Sequence, residues 1–252
     1  MAVLVAGSLM GSPYLLIRPH TWEDNLYQRD YLMRQIELAA QALGRILRIA
    51  AGGNREEALG LFDEAYQPLL GVSGRVVSTL TEEQLLGLLT AGATPDLRRV
   101  AKVLEVLEVE ADLYEATGRP AAAAARRRRA LALAGFLAAR SETLLDAELA
   151  ARLAGHAAEL ELPAAARLQL ARVLEALGRY ADAEDAVFEA IDADPDDPDL
   201  VDAGIAFYRR LLPLEPERLA AGGLPLDEVN ASIAELLRRA PVPDEVEPPP
   251  SW

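Results

Sequence analysis

Four carboxylates, Glu105, Glu108, Asp112 and Glu115, recur at i, i+3, i+7 and i+10. On a helix that spacing sets them along one stripe, each roughly above the last. Such a stripe has two uses. It can form an acidic groove for a basic peptide or protein, or it can be a face neutralised by solvent or by arginines of a neighbouring helix. The next helical stretch supplies Arg126-Arg127-Arg128-Arg129. Successive helical residues point about 100° apart, so these four cannot make one phosphate-binding patch. Antiparallel pairing of the two helices accounts for both runs at once.

Other chemistry fails on its own terms. Asp192, Asp194 and Asp196 fit the first, third and fifth positions of a calcium loop. The sixth position needs glycine and is Asp197, the twelfth needs glutamate and is Ala203, and Pro195 and Pro198 interrupt the run. A turn followed by a helix cap explains these residues. The histidines are His20 and His156 alone, too few for a histidine-rich metal site, and the chain has no cysteine. Thiolate metal sites, disulfides and cysteine nucleophiles are therefore excluded. No glycine-rich phosphate loop, nucleophile elbow or zinc-protease motif occurs. No catalytic, metal-binding or cofactor-binding residue is expected, which leaves Glu105, Glu108, Asp112 and Glu115 as the candidate partner-binding set.

Composition narrows the class. The chain has 252 residues, 51% hydrophobic but only 5% aromatic, with alanine and leucine dominant. Closely packed helices suit that mixture, and β-branched runs are scarce. The formal net charge of −15 argues against nucleic acid and against anionic membranes, both of which need a basic footprint. The apolar opening MAVLVAGSLMGSPYLLI has no basic residue before Arg18 and is broken by Gly7, Ser8, Gly11, Ser12 and Pro13. It departs from an export signal, so a poorly ordered extension over 1–22 and a cytoplasmic location are expected. The tail over 241–252, PVPDEVEPPPSW from Pro241 on, is too polar and proline-rich to order itself.

Between them, 23–240 reads as one helical domain of about eleven helices. A first long helix over 24–51 stops at Gly52-Gly53. Asn54 with Glu57 suggests a capping box for a second helix, and 71–79 reads as a loop. Thr81 with Gln84 opens a short helix, and Thr94-Pro95 opens a long one to Ala116. Helices follow over 120–140, 141–159 with Ser141 as cap, 163–177, 180–193, 198–212, 215–221 and 226–240.

Gly178, Tyr180, Ala183, Ala190 and Pro195 resemble the second half of a tetratricopeptide repeat. Weaker echoes occur at Gly53, Ala58, Phe62 and Ala65, and at Ala111, Tyr114, Gly118, Ala123 and Ala130. Small residues let two antiparallel helices approach, and the glycine leaves the first helix in a left-handed conformation. The three glycines lie 65 and 60 residues apart, whereas tandem repeats of this type recur about every 34 residues. Irregular tetratricopeptide-like hairpins stacked in a compact, solenoid-like all-α bundle are therefore expected. Arg29–Glu37, the Leu88-Leu89-Thr90 run with Gly92, and Phe207–Val229 together resemble an uncharacterised bacterial family of tetratricopeptide-like proteins, over about Arg29 to Arg239. That resemblance implies an all-helical fold and no assigned activity.

Within the tetratricopeptide resemblance, the Glu105–Glu115 stripe falls on positions that line the family's concave binding face. Arg127 takes a position usually held by a large apolar side chain, so its stem is expected along the core and its head at water or a carboxylate. Ala40, Leu43, Leu47 and Ala50 form an apolar stripe on the first helix, expected to be covered or to dock a partner. The expected function is a non-enzymatic protein–protein interaction module, scaffold or adaptor, with a protein or basic peptide as partner and self-association open. The alternatives are a small-ligand protein or enzyme with an inter-helix pocket, or a regulator using Arg126–Arg129. Beyond the acidic stripe, attention falls on Phe207–Val229 as the least repeat-like surface.

Overall fold

A computed structural model describes residues 22–91, 94–141 and 143–239. The expected 1–22 extension, bar Trp22, lies outside the described residues, as do the tail over 241–252, Gly92 and His20. Four glycines with left-handed backbone, Gly53, Gly118, Gly178 and Gly223, each end one helix and start its antiparallel neighbour. At Gly118 the Arg119 N–H donates to the Tyr114 carbonyl at 2.8 Å and the Gly118 N–H to that of Glu115 at 3.0 Å. Gly178 repeats this pair of bonds at 2.9 and 3.0 Å. Both satisfy carbonyls that a helix end otherwise leaves bare.

The hairpins so made are α1 (Trp22–Ala51) with α2 (Arg55–Leu59), and α6 (Leu97–Ala116) with α7 (Pro120–Ala138). They continue with α9 (Ala164–Ala176) and α10 (Tyr180–Ala193), and with α12 (Pro216–Ala221) and α13 (Leu226–Arg239). The elements between them are α3 (Phe62–Leu70), α4 (Gly74–Thr79), α5 (Glu82–Thr90), α8 (Ala147–Ala157) and α11 (Pro198–Leu211). Among the described residues the fold is all-α, with no strand. The alanines expected at helix contacts are buried: Ala58, Ala65, Ala111, Ala123, Ala130, Ala183 and Ala190.

Among the described residues thirteen helices stand where about eleven were expected. The helix expected after Asn54 breaks at Gly60-Leu61 into α2 and α3, and 71–79 contains α4, whose Ser73 side chain accepts from the Val76 N–H. Three caps also differ. Asn54 makes no side-chain cap bond, Asp96 in place of Thr94 caps α6, and Asp146 in place of Ser141 caps α8. The aspartates win because a carboxylate beside the first helical N–H groups adds charge to the hydrogen bond. The Thr81–Gln84 box and the Asp197-Pro198 start are as expected.

The core forms two clusters. One runs from α1 through α8 and includes Ile46, Phe62, Leu104, Leu133 and Leu153; the other gathers Tyr180, Val187, Phe207, Leu219 and Leu236. Helices α8 and α9 belong to both: α8 gives Ala154 to the second, and α9 gives Val173 to the first and Ala171 and Leu174 to the second. Gly222 sits hard against α10: an added Cβ would lie 2.2 Å from the Tyr180 ring and 2.4 Å from the Gly178 carbonyl. Its own carbonyl accepts from the Ala181 N–H at 3.1 Å.

Inside the first cluster lies a charged knot. Arg126 of α7 grips Glu110 of α6 with two bonds, Nε to Oε2 at 2.6 Å and Nη2 to Oε1 at 2.9 Å. The Tyr66 hydroxyl of α3 donates to Glu110 at 2.5 Å, and Arg126 Nη2 reaches Ser78 Oγ of α4 at 2.6 Å. Burial first, and the Glu110 carboxylate second, push the Tyr66 phenol well above its usual range, so it stays a donor. Arg126→Met strands the Glu110 charge inside the protein and is expected to cost about 3–5 kcal/mol in urea denaturation. The pair variant Glu110→Leu/Arg126→Met is expected to recover most of that loss, and equal loss in both would contradict an ion-pair role.

Candidate functional site

Helix α6 is covered on most of its faces, so its stripe of carboxylates does not share one environment. Glu108, at mid-helix, is 2% exposed. Asp112 and Glu115, nearer the end, remain exposed, and Glu105 is about half-exposed and paired with Lys102. The four therefore do not form one open groove, and Glu108 is withdrawn from any surface role. Spacing placed them on one stripe correctly, but burial also depends on height along the helix.

The arginine run goes four ways, as four consecutive helical residues must. Arg126 enters the knot. Arg127 lies with its stem buried and its head on Glu115 at 3.1 Å and Asp112 at 3.3 Å. Arg128 approaches Glu82 at 3.9 Å. Arg129 holds backbone carbonyls of Leu80 at 2.6 Å and Ser78 at 3.1 Å, closing the end of α4. The pairing of the acidic and basic runs across the α6–α7 hairpin is thus present for Asp112 and Glu115 with Arg127.

Sequence spacing missed a second place. A cleft of about 450 Å³ opens where the ends of α7, α9 and α11 meet α8 and α12. Among the described residues Arg172 of α9, Arg210 of α11 and Arg218 of α12 line it with one carboxylate, Glu175. Glu175 accepts from Arg210 Nε at 2.9 Å and Nη2 at 2.7 Å. Arg218 Nε donates to the Tyr180 hydroxyl at 2.8 Å, in the ring position that Gly222 leaves room for. Burial first, then the nearby Arg210 charge, lowers the pKa of Arg172. The only signal in the sequence was that Arg210 and Arg218 both fall within Phe207–Val229.

A model of a family of unknown function, DUF6483, matches residues 26–240. The chain belongs to this family. No curated protein and no solved structure matches it. Membership of DUF6483 therefore brings no activity and no site residue, and the chemistry rests on this chain's own geometry. Among the described residues of this DUF6483 member no cluster of three or more metal-ligating side chains occurs. Asp192, in the last turn of α10, and Asp194 and Asp196, in the turn that follows it, are exposed; Asp197 caps α11, and His156 is half-buried on α8. No helix among the described residues is long and apolar enough to cross a membrane.

Glu108 has a measurable consequence. Its Oε1 is buried without a hydrogen-bond partner among the described residues, as is Arg127 Nε. Burial, then the Asp112 carboxylate, raises its pKa from 4.5 to about 7, against the opposing pull of Arg127 and Arg152. The folded state therefore holds a proton that the unfolded chain releases. Its advantage is whole below about pH 4.5 and is lost as pH rises through about 7. Glu108→Gln is expected to flatten this slope and to stabilise the protein at pH 8 by up to about 3 kcal/mol, with little change at pH 4.5. Urea midpoints at the two pH values read the difference; a shift of the same size at both would remove Glu108 as its source.

Proposed function

We propose that the protein is a non-enzymatic interaction module that takes an amphipathic helix of a partner protein along α1. One observation carries this reading. Met33, Ala40 and Leu47, seven residues apart, stand exposed along the helix, with the Arg98 guanidinium of α6 donating to the Met33 sulfur at 3.6 Å at one end. Ile36, Leu43 and Ala50, three residues on from each, turn inward to the core. Together the six make the alternating three- and four-residue seam on which two helices pack, with half of it satisfied within the fold and half left bare. From Met33 to Leu47 the bare half runs about 21 Å. Glu37 and Arg48, of opposite charge, stand at its outer edge and suit a partner helix with mixed flanking charge.

The tetratricopeptide likeness belongs to the same proposal, supported by the glycine-ended hairpins and the buried alanines between them. So do a bacterial source and a cytoplasmic setting, supported by the resemblance and by the absence of cysteine. Glu105, Asp112 and Glu115 stay in the proposal as an acidic contact for a basic segment, without Glu108. A nucleic-acid partner is disfavoured, because the Arg126–Arg129 run is spent on internal contacts and the net charge is −15.

The test is a charge placed on the bare ladder. Met33→Glu/Leu47→Arg alters exposed positions, so the circular dichroism spectrum and urea midpoint are expected to stay within about 0.5 kcal/mol of the parent. Proteins that co-purify with the parent chain from its native host are expected to be lost from the variant. Light scattering on both shows whether the lost partner was a second copy of the chain. Retention of the same partners by a folded variant would place the docking face elsewhere.

A further inference from the structure

We propose that the arginine-lined cleft between α7, α8, α9, α11 and α12 binds a small amphiphilic acid, with one oxyanion head and a short apolar body. This is independent of the α1 ladder and goes beyond the reading of the chain as an interaction module. Among the described residues three guanidiniums line the cleft with one carboxylate, in a protein whose net charge is −15. Arg210 is spent on Glu175, which it holds through two nitrogens. Arg218 gives only its Nε, to Tyr180, so the outer nitrogens of its fork are free. Arg172 makes no hydrogen bond or ion pair with any described residue. Two guanidiniums with uncommitted donors therefore line one concavity.

Like charges gathered in a part-buried cleft destabilise the fold unless an anion joins them, and guanidinium forks suit the paired oxygens of a carboxylate or phosphate. Apart from Ser141 and Tyr180 the remaining wall is apolar, built from Leu145, Leu177 and Leu214 with alanines between. A bare inorganic anion would leave that wall wet, whereas a short hydrocarbon body would cover it. The cleft of about 450 Å³ has the room of about 15 water molecules at about 30 Å³ each, enough for a head group and a chain of modest length. Glu175, neutralised by Arg210, fixes the position of that guanidinium and keeps the net charge of the cleft matched to one small head. The amphiphile could carry either head, and the experiment separates them.

Titration calorimetry on the full chain uses decanoate and decyl phosphate as probes, with inorganic phosphate and decanol as their halves. At least one amphiphile is expected to bind with a Kd below about 1 mM, at least tenfold tighter than either half. Binding of one probe and not the other assigns the head as carboxylate or phosphate. Arg172→Met and Arg218→Gln are each expected to weaken binding about tenfold or more, and Arg209→Gln, at an exposed position outside the cleft, to leave it unchanged. Arg172→Met keeps the stem and removes an unpaired charge, so folding is expected to survive, as circular dichroism will show. No binding below about 1 mM by either amphiphile overturns the proposal. So does undiminished binding in folded Arg172→Met, or inorganic phosphate or decanol binding as tightly as the whole probe.

Discussion

The buried pair of Glu110 and Arg126 fixes the rest of the N-terminal half. Alanine-rich helices carry little shape to tell one rotation or one register from another. A two-pronged guanidinium grip does carry that information, because both bonds form at only one offset of α7 against α6. The Tyr66 hydroxyl and the Ser78 hydroxyl then tie α3 and α4 to the same point. Once α6 is locked, Glu108 has to point inward, and Arg127 has to lie over Asp112 and Glu115. The unpaired oxygen of Glu108 is thus a by-product of a register chosen by its neighbour two residues on.

Most of the fold was legible in residue order, because helices are local. Gly118 and Gly178 announce their turns through the one backbone conformation that glycine adopts freely, and Thr81 with Gln84 announces a helix start within four residues. The misses share a cause. Asn54, Thr94 and Ser141 are good caps in isolation, but Asp96 and Asp146, close by in sequence, offer the first helical N–H groups a charged acceptor, and residue order alone does not say which of two neighbouring caps is used. Helix α4 was missed because its residues Gly74–Thr79 have weak helix propensity and are held from outside by Arg129.

The candidate sites were legible to a lesser degree. The α1 ladder follows from a repeat of seven, which any one-dimensional search can find, although only the fold says which half of the seam stays bare. The acidic stripe was found by spacing and then divided by burial, which spacing does not encode. The cleft escaped altogether. Arg172 stands 38 residues from Arg210, and they meet only because α9 and α11 end at the same level of the stack. Gly222 sharpens the point: its role is to leave space for Tyr180, and a gap leaves no residue to read.

Helix α9 sits between the two cores and lends side chains to each. One wall serving two rooms acts as a shaft common to both. A rotation of α9 would carry Val173 within one core and Leu174, about 100° around the helix, within the other at the same time. The two cores therefore share a wall, and a substitution that repacks α9 in one changes the surroundings of the other.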